Sequence, residues 1–506
     1  MSEFWRNAIE TIGYKEAIFL GFYCSLFFIL SIFGLHRFYN TYLFYKTKNR
    51  IPKPKGKFES LPHVTIQLPL FNEMYVVERL IKAVIAIEYP RDLLEIQVLD
   101  DSTDDSLGVT MKAVEAAKAQ GHNIVHIHRK NRHGFKAGAL QHGLQTAKGE
   151  FVAIFDSDFV PNPDFLMGTV HFFSDPKVGM VQARWEHLNR TYSILTEVQA
   201  LLLDGHFLFE HGARNRSGRF FNFNGTAGIW RKTCIEDAGG WQHDTLTEDL
   251  DLSYRAQLKG WNFVFVPYLT APAELPVEMN SFKTQQHRWA KGSIQTAFKL
   301  LPAIIKSKQP LKVKIEAGFH LLSNFAYLLI LLLSFLLPLS IFVISIGDWE
   351  VAKALNVIVF ILATFSVGCF YVFSNFEATG KWLKSVLYMP ILFSVGLGLC
   401  VNNASAVLEA ILGKHSDFER TPKYNIFDES DASWAKKNYK GSINKLTFLE
   451  LLLGIYFTGA IVLAIYRGFY SPLPFLVLFQ AGFLYVAFQS LFQTTFIKMM
   501  HRASDS

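Results

Sequence analysis

The chain sets one long polar block between several long apolar runs, and this pattern constrains its fold more than any other feature. Half of its 506 residues are hydrophobic. A helix needs roughly 20 apolar residues to cross a hydrocarbon core of about 30 Å. Runs of about that length lie near 17–35, 321–346, 351–373, 386–412, 446–465 and 473–496. The sequence therefore predicts an integral, multi-pass membrane protein that carries one polar domain.

Basic residues near the ends of the runs predict the orientation. Cytoplasmic segments beside membrane helices carry an excess of Lys and Arg. Acidic residues dilute the two basic residues before the first run, whereas a dense basic segment follows it: His36, Arg37, Lys46, Lys48, Arg50, Lys53, Lys55 and Lys57. We expect the polar domain to face the cytoplasm, in a plasma, inner or Golgi membrane according to the source.

The same rule predicts five spans. If 386–412 also crossed the membrane, the basic segment that follows it would lie outside. Polar residues and a proline interrupt that run, so it is predicted to be an interfacial helix at about 384–412: Pro390, Asn402, Asn403 and Glu409. Three regions follow, which are an anchor at 1–48, a cytosolic domain at 49–312 and a transmembrane region at 313–506.

Charge and cysteine content exclude some classes of protein. The formal net charge of +7 comes mostly from residues beside the apolar runs. Attraction to anionic membrane lipid accounts for that charge, and no nucleic-acid partner is expected. The four cysteines have neither metal-ligand spacing nor the pattern of a disulfide framework.

The polar block predicts an α/β domain. Hydrophobic strands at 64–68, 94–99, 123–128 and 151–155 alternate with helices at 76–87, 111–119 and 137–147. Such alternation indicates a mostly parallel sheet with helices on both faces. Ligands in these sheets bind outside the carboxyl ends of the strands, where two acidic clusters lie here.

The two acidic clusters are Asp100 with Asp101 and Asp156 with Asp158. Carboxylates two residues apart suit Mg²⁺ or Mn²⁺ that also binds a diphosphate, although acids at strand ends commonly serve only as turn residues. Asp100 and Asp101 are predicted to accept hydrogen bonds from a nucleoside or to lie in a solvated turn. Lys136 opens a helix, where it and free backbone amides are placed to bind a diphosphate, although a lone lysine at a helix start is usually only solvated.

The next acidic group is Thr247, Glu248 and Asp249, at a predicted helix start. Capping is the ordinary role of an acid there. Transfer of a sugar to a hydroxyl requires a carboxylate that removes the proton, and Asp249 is our candidate for that base.

Gln285, Arg288 and Trp289 share one helical face because they lie three and four residues apart. Arg288 is suited to pair with a diphosphate and Trp289 to support a sugar ring. An amphipathic juxtamembrane helix is the plainer interpretation. Five further residues are candidate acceptor-sugar contacts or ordinary packing residues: Arg184, Trp185, Asn224, Gly225 and Thr226.

These four motifs, in this order and beside these apolar runs, resemble the family 2 inverting glycosyltransferases of the cellulose synthase superfamily. Other stretches are similar to the cellulose-synthase-like A and C proteins, which are plant mannan, glucomannan and glucan backbone synthases. They are 97–104, 135–140, 181–185, 223–228 and 286–289. The resemblance covers nearly the whole chain.

The resemblance implies a Rossmann-like GT-A catalytic domain inserted in an α-helical transmembrane region. It implies nucleotide contacts at Asp100 and Asp101, metal and diphosphate contacts at Asp156 and Asp158, and a general base at Asp249. Residues at about 415–430 resemble the FxVTPK gating loop of cellulose synthases, with Arg420 in place of Val: Phe418, Arg420, Thr421, Pro422 and Lys423.

The expected activity is polymerisation of a β-linked, β-1,4 hexose chain from UDP-glucose or GDP-mannose, coupled to export of the polysaccharide acceptor. The sequence leaves the donor, and any accessory export subunit, open. A lipid-directed transferase that adds one sugar to dolichol phosphate or ceramide is the enzymatic alternative. A nucleotide-sensing channel or an inactive scaffold is the alternative from another class.

Overall fold

The computed structural model describes residues 14–346, 350–416, 418–427, 434, 437 and 443–504. Residues 347–349, between two of the predicted apolar runs, and two parts of the gating-like loop, 417 and 428–430, lie outside the described residues.

A seven-stranded sheet forms the centre of the polar domain, in the order β3-β2-β1-β4-β6-β5-β7. The strands are β1 Val64–Leu70, β2 Leu94–Asp100, β3 Ile124–His128, β4 Phe151–Ile154, β5 Val178–His187, β6 Gly228–Arg231 and β7 Asn262–Ala273. The first four are parallel, and β7 is parallel to β5. The sheet is mixed because β6 is antiparallel to both β4 and β5.

Strands β1 and β2 are buried on both faces, so their polar side chains must bond to each other. Thr65 Oγ1 donates to Glu95 Oε2 over 2.7 Å, and Gln67 Nε2 donates to Gln97 Oε1 over 3.0 Å. These pairs stabilise the parallel register that brings the two strand ends to one edge.

The described helices surround this sheet and continue into the apolar regions. They are α1 Tyr14–Thr47, α2 Val77–Ile85, α3 Ser106–Ala119, α4 Phe135–Thr146, α5 Phe165–Thr169, α6 Ile194–Asp204, α7 Gly212–Arg216, α8 Lys232–Asp237, α9 Glu248–Leu258, α10 Met279–Lys306, α11 Leu311–Leu322, α12 Phe325–Ile346, α13 Glu350–Thr379, α14 Trp382–Gly398, α15 Cys400–Ile411, α16 Leu446–Tyr466 and α17 Leu473–Ser504. A π-helical turn, Gly205–His211, joins α6 to α7.

Among the described residues, three helices are long and apolar enough to cross a membrane: Ile18–Thr47, Leu446–Tyr466 and Leu473–Gln493. Two helix pairs qualify if each bent pair counts as one span, namely α11 with α12, bent by 54°, and α14 with α15, bent by 41°. The helix predicted at 384–412 is therefore two helices that meet at Leu399. Its interfacial position stays a prediction.

Helix α10 connects the polar domain to the apolar helices. Its buried Lys283 donates to Glu450 Oε2 over 2.8 Å and to Thr447 Oγ1 over 3.1 Å, both on α16. Asn402 of α15 donates to the Lys283 carbonyl over 2.9 Å. Because a buried ion pair is costly to break, these contacts fix the axial position of α10.

Candidate active site

A cavity of about 170 Å³ lies at the carboxyl ends of β1, β2 and β4. Most of the predicted site residues line it: Asp101, Lys136, Asp156, Asp158, Trp185, Asn224, Gly225, Thr247, Glu248, Asp249, Gln285, Arg288, Trp289, Phe418, Arg420, Thr421 and Lys423. Asp100, Arg184, Thr226 and Pro422 are not among its lining residues. We call this space the donor cavity.

Asp100 is fully buried beneath the cavity. Its Oδ1 accepts from the Ser102 backbone N–H over 2.8 Å, and its Oδ2 lies 3.0 Å from His126 Nε2. Burial alone would raise the pKa of Asp100, but the hydrogen bonds with His126 and Ser102 outweigh it and lower that pKa. Asp100 therefore stabilises the turn that follows β2 and does not line the cavity.

Asp101 faces the cavity and is held by Arg129. The Arg129 Nε donates to Asp101 Oδ1 over 2.7 Å, and Nη2 donates to the other carboxylate oxygen. Such a bidentate pair orients the carboxylate rigidly. Asp101 is therefore the member of its cluster that is placed to contact a nucleotide.

Asp156 and Lys136 form an ion pair inside the cavity, with 2.5 Å between Lys136 Nζ and Asp156 Oδ1. Lys136 also donates to the Gly225 carbonyl over 3.0 Å, and the Asp156 backbone N–H donates to Thr226 Oγ1 over 2.9 Å. Burial raises the pKa of Asp156. Thr226 thus fixes the backbone of Asp156 without lining the cavity itself.

Asp158 pairs with a residue from far along the chain. Lys423 Nζ lies 2.6 Å from Asp158 Oδ2 and donates to the Glu274 carbonyl over 2.6 Å. The two carboxylates of the predicted metal motif are therefore each neutralised by a lysine, Asp156 by Lys136 and Asp158 by Lys423.

The donor set fits a divalent cation shared with a substrate. In the part of the chain that the structure describes, no cluster of three or more His, Cys, Asp or Glu side chains could hold a metal by itself. Mg²⁺ typically takes one or two carboxylates and completes its shell with phosphate oxygens and water. Asp156 and Asp158 supply that number of ligands.

Asp249 lies in the first turn of α9, where its Oδ1 accepts from the Leu250 backbone N–H over 2.8 Å. Burial, and then the neighbouring charge of Glu248, raise the pKa of Asp249 to about 7. A general base is most effective when its pKa lies near the working pH. The carboxyl is therefore suited to accept a proton from a sugar hydroxyl.

The loop at 224–226 packs closely against Asp249. Gly225 has a φ of +80°, and a Cβ added there would lie 3.1 Å from Asp249 Oδ2 and 3.2 Å from Lys136 Nζ. Glycine is therefore required at this position both by the backbone conformation and by the close approach.

The described part of the gating-like loop lies over the cavity. Arg288 Nη1 donates to the Glu419 carbonyl over 3.1 Å, and the guanidinium carbon lies 4.3 Å from the centre of the Phe418 ring. Arg420 Nη1 donates to Glu73 Oε2 over 2.9 Å. The loop at 418–423 thus contacts the α10 motif and the end of β1 at once.

Sequence reasoning missed Glu73, which lines the donor cavity. Burial raises the pKa of Glu73 to about 7. A signal was available, because Glu73 follows β1 just as Asp101 follows β2 and Asp156 follows β4.

Two further cavities lie beyond the donor cavity, and each shares lining residues with the one before it. The second, of about 260 Å³, shares six lining residues with it: Trp185, Asn224, Thr247, Asp249, Gln285 and Trp289. The third, of about 340 Å³, lies among α1, α12, α13, α14 and α17 and shares Arg37, Glu210, Asn324, Tyr327 and Tyr371, among others, with the second. The series leads from Asp249 to the space between apolar helices.

Of the adjacent residues Arg184 and Trp185, only Trp185 lines these cavities. Trp185 lines the first two cavities and packs between Phe159 and Phe207, with ring centres 5.1 Å and 5.0 Å apart. Arg184 lines none of the three cavities, so only Trp185 is placed to meet a sugar.

Residues 62–292 match the family model described as Glycosyltransferase like family 2. The chain carries a family 2 glycosyltransferase domain. The resemblance predicted from the four motifs is thereby confirmed, since the curated relatives include glucomannan 4-beta-mannosyltransferases.

One such relative, from Arabidopsis thaliana, bears the name probable glucomannan 4-beta-mannosyltransferase 15 and is 36% identical over 356 residues, which cover 65% of this chain and 66% of that protein. Glucomannan 4-beta-mannosyltransferase 1 of Cyamopsis tetragonoloba is 41% identical over 290 residues, covering 56% of this chain and 54% of the relative. The aligned parts thus span about half to two thirds of these relatives.

A solved mannosyltransferase from Pyrobaculum calidifontis, in complex with GDP-Man and Mn²⁺, superposes with a TM-score of 0.50. The likeness covers 77% of this chain and 99% of that protein at 21% identity. It concerns the fold alone, and the predicted GT-A fold of the polar domain is confirmed.

Proposed function

We propose that this protein is a membrane-embedded, inverting and processive mannan or glucomannan synthase. It transfers mannose from GDP-mannose to the end of a growing β-1,4-linked polysaccharide and passes the product into the space between its apolar helices. The catalytic domain faces the cytoplasm, where nucleotide sugars are available.

The lining residues that the three cavities share carry this proposal. The candidate base Asp249 lines both the donor cavity and the second cavity, and the second cavity shares residues of α1, α12 and α13 with the third. A transferase that adds one sugar to a lipid needs no path beyond its base. A polymer that advances by one sugar per turnover does need one, and the lining residues that these cavities share support it.

The relatives support mannose as the donor sugar. The curated proteins with 36 to 42% identity bear the name glucomannan 4-beta-mannosyltransferase. UDP-glucose is the competing donor, because sugar residues that differ in one hydroxyl orientation would contact the same motifs.

Each side chain of the donor cavity has a separate role in the proposed reaction. Asp101 binds the nucleoside, while Lys136 and Arg288 bind the diphosphate that leaves. Trp289, which lines both cavities, offers its ring to the acceptor sugar. As the acceptor hydroxyl forms its bond to the anomeric carbon and the bond to diphosphate breaks, the hydroxyl proton passes to Asp249.

Asp156 and Asp158 would hold Mg²⁺ or Mn²⁺, which when bound supplies positive charge to the departing diphosphate. For the cation and its nucleotide to reach Asp158, Lys423 must leave that carboxylate and the loop at 418–423 must open. The loop therefore acts as a gate by competing with the cation for Asp158.

The test is to incubate the detergent-purified protein with Mn²⁺ and radiolabelled GDP-mannose or UDP-glucose in separate reactions. We expect polymer from GDP-mannose that endo-β-mannanase degrades, and none from the D249N variant. Label found only in a lipid extract would replace this function by the single-transfer alternative. Polymer from UDP-glucose that β-glucanase degrades would correct the donor.

A further inference from the structure

Asn224 lies at the junction of the donor cavity and the second cavity, and two histidines hold its side-chain amide. His206 Nε2 lies 3.0 Å from Asn224 Nδ2, and His211 Nε2 lies 2.7 Å from Asn224 Oδ1. Both ends of the amide are thus engaged, by rings whose centres are 4.4 Å apart.

The hydrogen bonds define one arrangement of protons. The Glu210 carboxylate, which can only accept, lies 3.0 Å from His206 Nδ1, so this nitrogen carries the His206 proton. His206 Nε2 is then an acceptor and receives one N–H of Asn224. His211 Nε2 must donate, because it faces both Asn224 Oδ1 and the Asn222 carbonyl.

Burial keeps both rings neutral, as this arrangement requires. It lowers the pKa of His206 well below the usual range and the pKa of His211 to about 3, with nearby positive charge acting in the same direction. A protonated His206 would point an N–H at the N–H of Asn224. The amide of Asn224 therefore keeps a single orientation.

The π-helical turn Gly205–His211 makes this geometry possible. In an α-helix, residues five apart point about 140° away from each other. The i→i+5 bonds of a π turn bring such residues onto one face, and π turns are frequent at functional sites. His206 and His211 consequently face the same amide, and Glu210 contacts the other nitrogen of the His206 ring.

Glu210 also connects this group to the apolar helices. Its carboxylate pairs with Arg37 of α1, and Arg214 Nη1 lies 3.5 Å from its Oε2. Arg37 and Glu210 line the second and third cavities. The position of His206 is therefore fixed from the side on which the product would leave.

We propose that His206 and His211 are positioning residues for the acceptor. By fixing the amide of Asn224, they direct its second Nδ2–H into the path between the cavities, where it donates a hydrogen bond to an oxygen of the acceptor sugar and holds the attacking hydroxyl toward Asp249. Among the described residues that second N–H has no partner. The adjacent Gly225 lies against Asp249, so the site and the base are close together. This inference rests on the proposed transfer to a polysaccharide.

A positioning role and a structural role differ in their effect on two reactions, the transfer of mannose to sugar and its transfer to water. A residue that positions only the acceptor leaves the donor bound and the base intact, so water can still replace the sugar hydroxyl and release mannose and GDP. A residue with a merely structural role lowers both reactions in parallel. The ratio of GDP-mannose hydrolysis to polymer formation is therefore the informative quantity.

The experiment uses the full chain in detergent with GDP-mannose and Mn²⁺, and it compares H206F, H206Q and H211F with H171F. Phe keeps a ring but removes the hydrogen bonds, whereas Gln at 206 restores an acceptor for Asn224. His171 accepts from the Phe58 backbone N–H and lines none of the three cavities, so H171F controls for loss of a partly buried histidine.

We expect H206F and H211F to raise the hydrolysis-to-transfer ratio about tenfold, by lowering kcat for transfer at an unchanged KM for GDP-mannose. H206Q and H171F should keep the ratio of the unaltered protein. In the N224A background, H206F should add nothing further, because both changes remove one interaction.

An unchanged ratio in H206F and H211F, or effects of N224A and H206F that multiply, would overturn the inference. If H206F does not fold, H211F decides alone, since it breaks the other side of the same amide. Absence of polymer from the unaltered protein would refute the proposed function instead, so the two failures are distinguishable.

Discussion

The pKa of Asp249 gives a quantitative prediction for the rate. Burial and Glu248 raise that pKa to about 7, and only the ionised carboxylate can accept a proton. At pH 6 about a tenth of the free enzyme is then competent, at pH 7 about half, and at pH 8 about nine tenths. We expect kcat/KM for GDP-mannose to rise about tenfold between pH 6 and pH 8.

The assay is the initial rate of GDP release coupled to polymer formation, in buffers of constant ionic strength. Glu73 has a pKa of about 7 as well, so E73Q is the matched control. The rise of kcat/KM with pH should persist in E73Q, and D249N should lose polymer formation at every pH while still binding GDP-mannose.

A rate that does not change between pH 6 and pH 8 would refute the assignment of Asp249 as a buried base with a raised pKa. A rise that disappears in E73Q would transfer the titration to Glu73 and to the loop that Arg420 ties to it.

Three further predictions concern the loop, the glycine and the buried ion pair. K423M removes the ammonium 2.6 Å from Asp158 and should tighten Mn²⁺ binding in the absence of nucleotide, measured by electron paramagnetic resonance titration; unchanged affinity would contradict the competition between Lys423 and the cation. G225A should lower kcat/KM at least about tenfold and destabilise the fold by about 1–2 kcal/mol, because Gly225 has a φ of +80° and an added Cβ would lie 3.1 Å from Asp249 Oδ2. In the control variant G108A the added Cβ meets nothing within 4 Å, so thermal melts should show α3 stabilised by about 0.5–1 kcal/mol. K283M leaves Glu450 buried without its partner and should destabilise the protein by about 3–5 kcal/mol, and the double variant K283M/E450L should recover most of that loss.

The strand-end acids show how far the sequence predicts the site. Asp101 and Asp156 line the donor cavity as expected, but Asp100 points away from it. Successive residues of a strand point to opposite faces, so only one of the two adjacent aspartates could face the ligand. The same alternation separates Arg184 from Trp185.

Other features could not be predicted from local patterns. His206 and His211 share a face only because a π turn replaces the ordinary helical period. Asp158 and Lys423 meet although 265 residues separate them, so their contact depends on the tertiary fold. The apolar run at 386–412 is predicted to form one helix, but α14 and α15 are bent by 41° at Leu399, directly after Gly398.

Reconstitution into sealed lipid vesicles tests most directly whether synthesis is coupled to passage between the apolar helices. Radiolabelled GDP-mannose and Mn²⁺ are added outside, so that only molecules with outward catalytic domains react, and endo-β-mannanase is added after synthesis. The account predicts polymer that resists the mannanase until detergent opens the vesicles. Polymer that is digested completely in intact vesicles would show that the product never enters the path, and would contradict the account.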